Sequence, residues 1–312
     1  MKVLVLGSAA GGGFPQWNCS CALCAGQRSG RLQARARTQS SIAISSDGRD
    51  WVLCNASPDI AQQIRERPAL QPRHGVRHTP IAAVVLTDAQ IDHVNGLLNL
   101  REGPPLDLYA TPGVFEQLTA GLPILPVLQH YCGVRWHLLP VAGESRAARF
   151  AIDGFPRLQF EAVAVPGKAP PYSTPRSDTA AAGEHIALRV LDTDSGGRLF
   201  FAPGLARIGA DELEAMRDAD CLLVDGSFWS DDEMIAAGLG RRRASDMGHL
   251  PVCGGPAGTP GMIDVLAGLG ASRKLLIHVN NTNPILDEQS AERAELTRRG
   301  IEVAHDGMEI VL

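Results

Sequence analysis

An α/β fold of two packed sheets with helices on the outside is what the 312-residue sequence predicts. Three observations carry that expectation. Short β-branched runs recur along the whole chain, helical patterns lie between only some of them, and the two are unevenly distributed. Strand pairs without a helix begin each half, and strand–helix alternation ends it. A doubly wound sheet would alternate throughout, so the mixture fits two stacked sheets with helical outer layers.

The strand runs cover residues 3–6, 41–44, 51–54, 82–87, 107–110, 160–165, 186–191, 198–202, 221–225, 274–279 and 301–305. Most are rich in Val, Ile or Leu. Helices are expected over 59–66, 91–100, 113–120, 211–219, 262–269 and 288–299, the last three with apolar residues at about 3.6 spacing. Stretches 165–183 and 253–261, rich in proline or glycine, read as loops long enough to carry function. No internal repeat is visible, and one domain spanning 1–312 is expected.

Composition narrows the function classes. The chain is 45% hydrophobic and 20% charged, with a formal charge of -5. That balance gives no global reason to bind nucleic acid or an anionic membrane. The basic stretches 28–37 and 241–243 read as solvated surface. The opening apolar run, Val3 to Leu6, is shorter than the about 7–15 residues of a secretory h-region, and it reads as the first strand. No window approaches the about 18 apolar residues of a membrane span. A cytoplasmic protein without membrane insertion is expected, its seven cysteines mostly reduced.

Cys19, Cys21 and Cys24 follow the glycine-rich turn 7–13. Three thiolates within six residues can bend around one tetrahedral ion, and thiolate ligation favours structural Zn2+. The fourth ligand is left open among Cys132, Cys253 and residues near His278. Cys54 and Cys221, inside apolar strands, read as buried small residues. The glycine-rich turn lacks G-x-G-x-x-G spacing and leads into Phe14-Pro15 instead of a helix, so a dinucleotide site is rejected.

A second constellation lies in Val84-Val85-Leu86-Thr87-Asp88-Ala89-Gln90-Ile91-Asp92-His93, where a buried strand ends and polar groups crowd the turn before a helix. Strand carboxyl ends are where α/β folds assemble sites. The segment resembles the metallo-β-lactamase superfamily signature H-x-H-x-D-H. Asp92 and His93 match its last two positions, and Asp88 and Gln90 stand in place of the first two histidines. Asp225, ending the run Leu222-Leu223-Val224, falls where that superfamily places a bridging carboxylate. His249, in Gly248-His249-Leu250, resembles the catalytic histidine of its phosphodiesterase branch. His278 ends a strand as the histidine that closes the metal shell, and Lys168 in Pro166-Gly167-Lys168 replaces a further histidine. The segments Phe14-Pro15-Gln16-Trp17-Asn18-Cys19, Thr87–His93 and His278-Val279-Asn280-Asn281-Thr282-Asn283-Pro284 are similar to the pyrroloquinoline quinone (PQQ) biosynthesis protein B family, over nearly the whole chain.

That resemblance implies a metallo-β-lactamase-like four-layer αβ/βα sandwich. It also implies that Asp92, His93, His278 and Asp225 hold an active-site metal, while Cys19, Cys21 and Cys24 hold structural zinc. Two imidazoles and one carboxylate with vacant positions is the ligand set of non-haem iron(II) oxygenases, so Fe2+ is expected, with Zn2+ as the alternative. Asp88 and His249 are the candidate catalytic groups for handling protons or orienting substrate. The implied reaction is hydroxylation of the tyrosine ring of the Glu-Tyr-derived PQQ precursor, with the loop 168–183 folding over an acidic, aromatic substrate. The alternatives are a carrier of PQQ or its precursor toward the periplasm, which would bind without needing that metal, and a zinc-dependent hydrolase.

Overall fold

The computed structural model describes residues 1–173, 181–255 and 258–312. The chain first builds a sheet from β1 (Lys2–Gly7), β2 (Ser41–Ser45), β3 (Trp51–Cys54), β4 (Ile81–Val85), β5 (Leu106–Ala110) and β6 (Val134–Leu138). It then builds a second from β7 (Ala147–Phe150), β8 (Leu158–Ala164), β9 (Ile186–Asp192), β10 (Arg198–Ala202), β11 (Cys221–Asp225), β12 (Arg273–Ile277) and β13 (Glu302–Val303). Strand β14 (Glu309–Val311) returns to pair antiparallel with β1, giving the orders β14-β1-β2-β3-β4-β5-β6 and β13-β12-β11-β10-β9-β8-β7. Each sheet is antiparallel at one end and parallel at the other. β3 through β6 run parallel, as do β10 through β13.

Helices α1 (Ala22–Arg28), α2 (Ile60–Glu66), α3 (Ile91–Val94), α4 (Pro112–Glu116) and α5 (Ile124–Leu128) belong to the first half. Helices α6 (Ala210–Arg217), α7 (Glu233–Ala236), α8 (Met262–Ala267) and α9 (Ala291–Arg298) belong to the second. Three apolar layers hold the stack together. Val3, Ile44, Val85, Phe160, Leu188, Phe201 and Leu275 fill the space between the sheets. Ile60, Val94, Val114 and Leu128 seat helices on the first sheet, and Met216, Met262, Leu266 and Leu296 seat helices on the second. This is the expected four-layer αβ/βα sandwich.

Burial patterns follow from that layering. Strand β11 reads Cys-Leu-Leu-Val-Asp and is buried at every position, as a parallel strand covered on both faces must be. Strand β8 instead alternates, because one face meets solvent. The strands absent from the sequence expectation, β6, β7 and β14, carry Arg135, Arg149 or Glu309 and are half exposed, so ladder pairing and not hydrophobicity defines them. Cys54 and Cys221 are fully buried, as expected. Residues 174–180 of the predicted loop over the site, and 256–257 of the second loop, lie outside the described residues.

The expected helix over 91–100 is shorter than predicted, for a reason that matters to the site. It is α-helical only over Ile91–Val94 and continues as a 3-10 turn, Asn95–Leu100. The His93 carbonyl accepts the Ala56 N–H (2.7 Å), and Gly96 N–H donates to Ala56 O (2.9 Å). A Cβ at Gly96 would lie 2.0 Å from Ser57 O, so only glycine permits this approach. The end of β3 thus takes hydrogen bonds that a longer helix would use, and it fixes the His93 backbone.

Candidate metal centre

The parallel strands β4, β11 and β12 lead to one edge of the sandwich, where Asp88, Asp92, His93, His249 and His278 line a pocket of about 200 Å³. One ligand atom each from Asp92, His93 and His278 lies within 4.8 Å of the others, and the same holds for Asp225, His249 and His278. The two groups share His278. Asp225 therefore stands with His249 and His278 and outside the Asp92–His93–His278 group expected to include it.

His93 is buried, and its Nδ1 sits 2.8 Å from both carboxylate oxygens of Asp88. Its Nε2 is buried without a hydrogen-bond partner. A ring whose Nδ1–H is held by a carboxylate presents the lone pair of Nε2, which is how metal-bound histidines are ordinarily oriented. His278 repeats the arrangement with a hydroxyl: Ser227 Oγ is 2.8 Å from its Nδ1, leaving Nε2 3.0 Å from Asp92 Oδ2. An orphaned imidazole nitrogen beside a second one and a carboxylate fits a divalent cation of borderline hardness.

The backbone at these positions is strained or tightly pinned. His278 adopts φ 61°, and its carbonyl lies 2.9 Å from Ser227 Oγ. Asn55, with φ 63°, bonds Thr87 N and Thr87 Oγ1 (both 2.9 Å), and Thr87 Oγ1 in turn donates to Asp88 Oδ2 at 3.0 Å. Left-handed backbone at non-glycine residues is uncommon and gathers at functional sites.

Burial works to raise the Asp88 carboxyl pKa, but the neighbouring His93 and His185 outweigh it and hold the group below its usual range. Asp92 is held at about 2, burial being overcome by His93 and His278. Burial works to lower the pKa of His93, yet Asp88 and Asp92 lift it to about 9. Asp225 accepts from Leu205 N, Ser227 N, Ser227 Oγ and His249 Nδ1 at 2.6–2.9 Å. That pairing raises the pKa of His249 despite its burial and lowers that of Asp225. With Nδ1 committed to Asp225, His249 has Nε2 as its acceptor.

Three contributors have no signal strong enough to stand out in the sequence. Ser227 joins Asp225, His249 and His278. His185, just before β9, bonds the Lys168 carbonyl through Nε2 (2.7 Å), with its Nδ1 3.8 Å from Asp88. Asn281 Nδ2 lies 3.3–3.9 Å from all three sulfurs of Cys19, Cys21 and Cys24. These cysteines are the third group able to hold an ion. Cys132 and Cys253 are elsewhere, the former against the helices of the first sheet and the latter exposed. Lys168 lines the pocket, with its ammonium donating to the Asp246 carbonyl.

A model of the Beta-lactamase superfamily domain matches residues 50–279. A coenzyme PQQ synthesis protein B from Azotobacter vinelandii is 54% identical over the full length of both chains. The chain belongs to the coenzyme PQQ synthesis protein B family. A family member from Cupriavidus necator is 55% identical over all of this chain and 99% of its own. The crystal structure of Zn2+-bound PqqB from Methylobacterium extorquens superposes with a TM-score of 0.88 at 41% identity, each chain fully covered. A diphosphatase of the PhnP family, 18% identical over 99% of this chain and 96% of its own with a TM-score of 0.66, shares the fold. Among the described residues, no helix is long and apolar enough to cross a membrane.

Proposed function

We propose that the protein acts in PQQ biosynthesis as a metal-dependent oxygenase that hydroxylates the tyrosine ring of the Glu-Tyr-derived precursor, with Asp92, His93 and His278 as ligands. The observation that carries this reading is the ligand set itself, two imidazoles and one carboxylate with His93 Nε2 buried and unpaired. When bound there, iron(II) would offer vacant positions to dioxygen and substrate, the chemistry associated with such a triad. Zn2+ remains the alternative metal, and Cys19, Cys21 and Cys24 would hold structural Zn2+.

The residues around the triad divide the remaining work. Asp88 keeps the His93 ring in the ligating tautomer, and Ser227 does the same for His278. His249, backed by Asp225, turns Nε2 to accept a proton from a phenolic hydroxyl. Phe228 and Met247 give the pocket apolar wall, which favours an aromatic ring and limits water. In the overall reaction one oxygen atom enters a ring C–H bond and the other leaves as water, with two electrons from an added reductant.

The test is mass analysis of the precursor after anaerobic incubation with iron(II)-loaded protein and reductant, followed by air. A gain of one oxygen, lost in His93→Ala, is expected. Binding without a mass change would refute the oxygenase reading and favour the carrier.

A further inference from the structure

One exposed aromatic residue has no role in the proposed chemistry. Of the four tryptophans, Trp17 alone is exposed, at 85%, while Trp51 is buried and Trp136 and Trp229 are half-buried. It rides on a turn closed by Cys19 N–H donating to Gln16 O (3.1 Å), and the Arg28 guanidinium ties the carbonyls of both Gln16 and Cys19. Reciprocal hydrogen bonds between Phe14 and Arg37 (2.8 and 2.7 Å) anchor the entry to that turn. Cys19 at its exit belongs to the thiolate trio. A ring that buries almost nothing is therefore held on a backbone fastened at both ends.

The chain just ahead of that turn borders the metal pocket. Gly11 lines it, and a Cβ there would sit 3.4 Å from Asp92 Oδ2. The Gln16 side chain packs over Gly12. Ile91, the residue before Asp92, is 52% exposed. A rigidly presented indole gains stacking energy without first paying to order a loop.

We propose that Trp17 is a stacking platform for a planar aromatic ligand at the mouth of the metal pocket, and that the cysteine cluster serves the site by fixing the turn that carries it. This rests on the reading of the pocket as a site for a planar, PQQ-related compound. Stacking of a planar ring on an aromatic side chain contributes on the order of 1–3 kcal/mol, or about 5- to 150-fold in affinity.

The test uses the metal-loaded full chain and PQQ itself as the planar probe, with binding followed by equilibrium dialysis and tryptophan emission. Trp17→Ala is expected to weaken PQQ binding by about tenfold and Trp17→Phe by less than about threefold. In the wild type, PQQ should quench the acrylamide-accessible emission. Wild-type affinity in Trp17→Ala, or accessible emission untouched by PQQ, overturns the proposal. No dioxygen or reductant is present, so the two readings can fail separately. Trp17-dependent binding without hydroxylation would sink only the oxygenase, and hydroxylation with unchanged KM in Trp17→Ala would sink only the platform.

Discussion

Replacing Asp88 by asparagine separates two things that one carboxylate does for His93. The swap is isosteric: the new Oδ1 can keep the Gln90 N–H (2.9 Å) and the His93 Nδ1–H (2.8 Å), and the amide can face Thr87 Oγ1. What is lost is charge. Removing a carboxylate behind a ligating imidazole typically costs about 10- to 100-fold in metal affinity, or about 1.4–2.7 kcal/mol. The same carboxylate also helps to lift the pKa of His93 to about 9, so below that pH an incoming metal must displace a proton. With a raised imidazole pKa, wild-type affinity should climb by about tenfold per pH unit from 7 and level off near 9. In Asp88→Asn the proton is held less tightly, so the climb is shallower. The deficit should accordingly be largest near pH 9 and shrink toward pH 7. Anaerobic titration with manganese(II), which thiolates do not favour, read by the electron paramagnetic resonance of the free ion, measures this. Equal pH slopes for the two proteins, or affinities matching within about twofold at pH 9, would refute the assignment of Asp88 as the orienting partner of His93.

Glu233 is buried, and burial lifts its carboxyl to about 7 despite hydrogen bonds from Thr282 Oγ1 and Trp229 N. An acid whose folded pKa is raised favours the folded state while neutral, so stability should fall as pH rises from about 4.5 through 7, by on the order of 3 kcal/mol. Glu233→Gln should flatten that window in denaturant midpoints measured from pH 4.5 to 8. Cys24 is completely buried among the sulfurs, and Cys24→Ser should lower bound zinc by one equivalent by elemental analysis while manganese binding at the imidazoles persists. Asn55→Ala forfeits two hydrogen bonds to Thr87 and places a Cβ-bearing residue at φ 63° without polar compensation. A loss of about 2–4 kcal/mol is expected in chemical unfolding.

The sandwich was legible because its inner strands are apolar on both faces, as β3 and β11 are, and because turn formers bound them. Edge strands β6 and β7 were not, since their residues are set by pairing and solvent. Asp92, His93 and His278 could be read from strand-end position and motif. The same reading gave Asp88 no link to His93, because a five-residue separation says nothing about a carboxylate folding back onto an imidazole across a helix start. Ser227, His185 and Asn281 act through contacts with residues 17 to 262 positions away, which no local pattern encodes. Helix α1 was hidden by the cysteines themselves: Cys21 Sγ accepts the Cys24 N–H at 3.5 Å, so one residue serves both as helix cap and as member of the thiolate trio.

Two glycines of the site differ in how freely evolution could replace them. A Cβ at Gly167 would strike the His185 ring at 2.2 Å, and an obstacle made of side chain can itself be substituted. A lineage that loses His185 could admit a larger residue at 167, so the two positions should drift together. At Gly96 the obstacle is the main chain of Ala56 and Ser57, which every residue type carries. No second change can make room there without moving the strand end that holds His93. Position 96 is thus closed to drift for as long as the centre keeps its shape, whereas 167 and 185 form an exchangeable pair.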